Sequence, residues 1–95
     1  MAEYLVEINP KDAAHFAAAL NDEEAGGAAF VKSSVTFFDS RFTNLALFRE
    51  LPPGQLPGAE VEALAHSAPP PTGKVLLWSG AVLVAGSNAA LSVYR

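Results

Sequence analysis

The sequence predicts an α+β domain with the order βαββαβ, the split βαβ arrangement of ferredoxin-like folds, followed by one or two extra antiparallel strands. Three observations predict it. Ala2 to Ile8 alternates apolar and polar residues with period two, and an apolar stripe at helical spacing follows at once. The last quarter of the chain, Val75 to Tyr94, contains no charged residue and is divided by turn-forming residues. The simplest topology is one four-stranded antiparallel sheet over residues 1–95, with both helices on one face and the other face bare.

In the first strand Tyr4, Val6 and Ile8 share one side, and Glu3, Leu5 and Glu7 the other. A helix start comes next. Asn9 suits the N-cap, Pro10 the first helical position, and Asp12 lies near the positive end of the dipole. The spacing predicts a helix over Pro10 to Leu20, with Ala13, Phe16, Ala17 and Leu20 as its buried stripe. Asn21 ends it, and Asp22 to Gly27 reads as a polar loop, since acids at a helix C-terminus oppose the dipole.

Two strands are predicted between Ala28 and Leu51. Val31, Val35 and Phe37 share one face, and Lys32, Ser34 and Thr36 the other, with Phe30 and Phe38 at its ends. The turn falls at Asp39-Ser40 or at Thr43-Asn44; the tolerance of Asn for positive φ favours the second. Pro52-Pro53-Gly54 ends the return strand, because proline cannot donate to a ladder. Gly58 to Ser67 then reads as a short second helix with the stripe Val61, Leu64 and Ala65. Pro69-Pro70-Pro71 stops it and makes a stiff connector.

Breaks at Ser79-Gly80 and Gly86-Ser87-Asn88 divide the final stretch into three strand-length pieces, a meander. The other reading is one longer strand with a bulge at Gly80 and a hairpin to the end. A single membrane helix competes on length alone, but Ser79, Gly80, Gly86, Ser87, Asn88 and Ser92 count against it. The strand reading is preferred, and a membrane partner is not expected.

Composition bounds the function. The chain is 51% apolar and 17% charged, with net charge −4 and pI near 4.9. Such a balance argues against electrostatic binding of nucleic acid. An apolar surplus in a small domain points to surface covered by self-association. There is no cysteine, so thiol chemistry and sulfur-ligated metals are excluded. The N-terminus has no basic n-region, so no signal peptide is expected and a cytoplasmic or assembled (virion-like) location is the default.

No catalytic signature stands out. His15 and His66 are the only histidines, without the clustered partners that a metal needs, and no cofactor is expected. His15 reads as a solvent-facing helix residue, and His66 as a partner for a helix C-terminus. Neither a nucleophile elbow nor a phosphate loop is present. Glu7 and Glu50, near strand ends, are the acids to examine for partial burial. Trp78 serves a core or an interface wall. Phe37, Phe38, Phe42 and Phe48 exceed what one hairpin face buries under two small helices, so some should meet a partner. Arg41 lies among them, placed either for a cross-strand salt link or for an anionic group.

The length and strand order resemble those of small dimeric α+β barrel proteins, a likeness of fold that assigns no function. Two readings follow. In the first, the chain is a small self-associating, non-catalytic assembly or binding protein, a homo-oligomer or part of a larger complex, using an apolar sheet face and its C-terminal strands. The alternative is a small cofactor-free enzyme or hydrophobic-ligand-binding protein of the dimeric barrel type. Its pocket would be lined by Phe16, Phe37 and Trp78, with His15 or Arg41 as polar groups.

Overall fold

The computed structural model describes residues 2–95. Among these, the chain forms one helix and six strands in two separate three-stranded antiparallel sheets. β1 (Glu3–Ile8), β2 (Ala28–Phe38) and β3 (Arg41–Glu50) make the first, in the order β1-β3-β2. β4 (Glu62–Ala65), β5 (Leu76–Val84) and β6 (Ser87–Tyr94) make the second, in the order β4-β6-β5. The helix α1 spans Ala13–Ala25.

The expected ferredoxin-like βαββαβ arrangement is therefore incorrect. The second helix is absent: residues 58–67 hold β4 instead, which pairs with β6. The C-terminal strands build their own sheet and do not extend the first. Val61-Glu62-Ala63-Leu64-Ala65 satisfies a helical stripe and a strand alternation equally, and the burial of Val61 and Ala63 shows the alternation. Tertiary contact decides between them. The Asn21 side chain takes both polar groups of the Val61 backbone, accepting from its N–H at 2.7 Å and donating to its C=O at 3.1 Å. A backbone clamped in this way has no group left for a helical ladder.

The helix also begins and ends later than its sequence suggests. Asp12, not Asn9, is the N-cap, and its Oδ1 accepts from the His15 N–H at 2.7 Å. Asn9 and Pro10 are committed elsewhere: Thr43 Oγ1 donates to Asn9 Oδ1, and the Ala85 N–H donates to the Pro10 carbonyl. At the other end the helix runs through the acids to a Gly26 cap. There Glu24, only 2% exposed, is matched by Arg95. A bidentate guanidinium offsets the unfavourable dipole.

Both long hairpins are present, with shifted turns. Asp39 and Ser40 adopt φ 54° and 65°, the left-handed pair of a two-residue hairpin turn. Asn44 is instead fully buried within β3. Ala85 and Gly86, at φ 49° and 82°, turn β5 into β6. Ser79-Gly80 is no turn, since β5 runs straight through it, so the three-piece meander gives way to one long strand and a hairpin. The bulge in β5 falls at Leu77, between Leu76 and Trp78, rather than at Gly80. Gly80 is required because the Trp78 ring lies over it, and a Cβ there would collide with the indole. A second bulge at Val31 returns Phe30 to the face of Val35 and Phe37, correcting the expected alternation.

The inner faces of both sheets and the stripe of α1 share one core. Phe16 and Leu20 from the helix meet Phe30, Ala46 and Phe48 of the first sheet and Val82, Leu91 and Val93 of the second. Phe16 and Leu20 are fully buried, and each such side chain contributes about 2 kcal/mol relative to exposure. Phe30 stands edge-on to both Phe48 and Trp78, with centroids 5.9 Å apart in each case. The Cα atoms extend 37 × 36 × 16 Å. So flat a molecule leaves wide faces open to solvent.

Candidate functional site

The first candidate is the tip of the β2–β3 hairpin. β1 pairs with β3 only from Asn44 to Arg49, so Thr36–Phe38 and Arg41–Thr43 continue as a two-stranded ribbon. Phe37 and Phe42 lie opposite one another on it, in edge-to-face contact at 5.2 Å. They are 63% and 65% exposed. Cross-strand alternation fixes this placement: the pair shares the inward face of Ser33 and Val35 but lies past the end of β1. Phe38, 49% exposed, points the other way and stands opposite Arg41. Arg41 is bound to Glu7 at 2.6 Å, a cross-strand salt link to a partner that sequence reasoning did not name, since it looked to Asp39 or Glu50. Four expected site residues, Phe37, Phe38, Phe42 and Arg41, are thus gathered at one tip.

The other two are not. Trp78 is half-buried against Phe30 and Gly80 and serves the core. His15 is part of the helix start: its Nδ1 accepts from the Lys11 N–H at 3.2 Å while its own N–H satisfies the Asp12 cap. The pocket imagined among Phe16, Phe37 and Trp78 does not form, because Phe16 is sealed in the core and Phe37 stands outside it.

A second apolar run, Val75, Leu76 and Leu77 where the chain enters β5, is 66%, 54% and 36% exposed. It lies within the uncharged C-terminal stretch that the sequence offers as an interface, although the sequence does not single out these three residues. The outward face of the first sheet was expected to be bare, but its cross-strand pairing was not foreseen. Across β1 and β3 the register sets Glu3 opposite Arg49, Leu5 opposite Leu47 and Glu7 opposite Leu45. Leu5 is 59% exposed, and ion pairs close both ends of this strip, Glu3–Arg49 at 2.8 Å and Glu7–Arg41. The polar Thr43 side chain first, and then the hydrogen-bonded Arg41, hold the Glu7 carboxyl below the usual range.

On the outward face of the second sheet Ser79, Ser92 and His66 form a hydrogen-bonded chain. Ser79 Oγ lies 2.8 Å from Ser92 Oγ, which lies 3.0 Å from His66 Nδ1. The chain borders a mainly apolar hollow of about 480 Å³ floored by Ala81, Ala89 and Ala90. A serine activated for attack needs a base that is itself oriented by a third group. Among the described residues no carboxylate bonds the imidazole, so the chain reads as a polar bridge between strands. A wider groove of about 810 Å³ runs past Tyr4, Gly27, Glu50 and Pro52. Burial, then the charges of Glu23 and Glu50, raises the Tyr4 pKa.

Among the described residues no group of three potential ligands is placed to hold a metal ion, and no helix is long and apolar enough to cross a membrane. Compared with family models, curated proteins and solved structures, the chain matches none of them.

Proposed function

We propose that the protein is a small self-associating assembly or binding component that acts through surface and not through catalysis. The observation that carries this reading is the Phe37–Phe42 pair, two aromatic rings held in fixed contact yet mostly in water. A phenylalanine moved from water into an apolar setting gains about 2 kcal/mol. Aromatic residues with few rotatable bonds are favoured where partners meet. Phe38 on the opposite side of the ribbon and the exposed Val75–Leu77 run supply further apolar surface. The first belongs to the hairpin in which the sequence concentrates its phenylalanines, and the second to the uncharged C-terminal stretch. The occupant favoured is a second copy of the chain. The test is sedimentation of the wild type against F37S/F42S: the wild type forms a larger species and the variant shifts toward the monomer. A wild type that stays monomeric overturns the reading.

A second reading has one observation behind it, the apolar hollow beside Ser79 and His66. A small hydrophobic molecule bound there would contact Ala81 and Ala90, on the face of the sheet opposite to Trp78. Titration of the Ala81, Ala89 and Ala90 amide NMR shifts with short-chain alcohols and esters tests it, and an unchanged spectrum removes it.

A further inference from the structure

The outward face of the first sheet has a charge pattern that fits itself. On β1 the column reads Glu3, Leu5, Glu7, and on β3 the column reads Arg49, Leu47, Leu45, Thr43, Arg41, of which the first three face β1 in register. One column carries acids and the other bases, with leucine between the charged ends of each. We propose that this face binds a second copy of the chain, back to back, about a two-fold axis parallel to the strands and lying between β1 and β3. This rests on the self-association reading but assigns it a surface distinct from the aromatic tip.

The symmetry follows from the columns. Rotation about that axis lays β1 of one protomer over β3 of its partner without shifting either along the strand. Glu3 then faces the partner's Arg49, Leu5 faces the partner's Leu47, and Glu7 faces the partner's Leu45 within reach of the partner's Arg41. Each existing ion pair becomes half of a square of alternating charge. A self-complementary patch is what a two-fold interface requires. An axis lying in the face but perpendicular to the strands would set acid on acid and base on base. An axis over β3 would stack Arg49 on Arg49. The favoured arrangement also gives an apolar centre, Leu5, Leu45 and Leu47, with a polar rim. The overlap of two six-residue stretches is small, which places the dimer among weak, concentration-dependent contacts of less than ~1,200 Å².

The test separates the charges. In E3K/E7K both columns are basic, and in R41E/R49E both are acidic, so each variant repels its own copy in the proposed packing. Native mass spectrometry and sedimentation are run on each variant alone and on their equimolar mixture, with far-UV circular dichroism to confirm that both fold. The expected result is at least tenfold weaker self-association for each variant alone, and a heterodimer of one E3K/E7K chain with one R41E/R49E chain on mixing. Self-association at wild-type strength in both variants overturns the proposal, and so does a mixture that stays monomeric. If the variants associate normally while F37S/F42S is monomeric, the back-to-back interface is wrong and the aromatic tip stands alone. If the wild type itself is monomeric, the self-association reading falls with it.

Discussion

Asn44 and Leu83 are joined by two hydrogen bonds that tie one sheet to the other. The Leu83 N–H donates to Asn44 Oδ1 at 2.8 Å, and Asn44 Nδ2 donates to the Leu83 carbonyl at 2.9 Å. The amide occupies the place of a neighbouring strand's peptide group for a residue at the edge of the second sheet. The same Nδ2 also donates to the Ile8 carbonyl at 2.9 Å. Asn21 repeats the device against Val61, so two asparagines, one on β3 and one on α1, fix the second sheet in position. Replacing Asn44 by Leu leaves the Leu83 groups without partners in a largely buried setting. Loss of about 2–3 kcal/mol is expected, measured by urea unfolding. Asn21→Ala is expected to cost less, about 1 kcal/mol, since its contacts are nearer to water.

Most strands and the first helix were legible in the sequence, while the division into two sheets was not. Period-two alternation located β1 and β2, and turn residues marked the C-terminal hairpin, but the contacts that separate the sheets are between distant residues. The helix was seen but misplaced, because Asn9 and Pro10 have good capping chemistry and are used by Thr43 and Ala85 from distant parts of the chain. Glu24 looked like a reason for the helix to stop, and only the fold brings Arg95 to it from 71 positions away. β4 was misread because five residues do not separate a helical stripe from an alternation. Of the site, the crowding of phenylalanines was visible in the sequence, but not which of them lie exposed at one tip and which one, Phe48, is buried. The strip formed by Leu5, Leu45 and Leu47 was not visible, since it exists only in the β1–β3 register.

Gly80→Ala introduces a methyl group where the Trp78 ring lies. Displacing the indole is expected to destabilise the protein by about 1–3 kcal/mol, as overpacking does. Trp78 emission should shift to the red as the ring gains water. A glycine that served only as a flexible turn would show neither change.

Arg95 grips Glu24 with two nitrogens, at 3.0 and 2.7 Å, and donates to the Ala59 carbonyl at 2.8 Å. The same carboxylate accepts from the Phe30 N–H at 2.8 Å. Arg95→Met strands a buried carboxylate, for which a loss of about 3 kcal/mol is expected. The double variant R95M/E24Q removes the charge as well and should recover a good part of that loss. Thermal unfolding of the two variants side by side reads the difference.

Glu7 contributes to the response to acid. Its carboxyl is held below its ordinary value when folded, by Thr43 and then by Arg41. The folded state therefore binds the proton less readily than the unfolded chain. Stability from this group is present above the ordinary carboxylate range and is lost as pH falls through the depressed folded value. Glu7→Gln should flatten that part of the acid limb in a pH series of urea midpoints and leave the neutral-to-alkaline limb unchanged.

Self-association is tested most directly by sedimentation of the wild-type chain from low to high micromolar concentration. The prediction is a weight-average mass that climbs above the 9.9 kDa monomer as concentration rises, and a climb that F37S/F42S lowers without abolishing, because the back-to-back face stays intact. A mass that stays at the monomer value throughout, with the variant indistinguishable from the wild type, contradicts it.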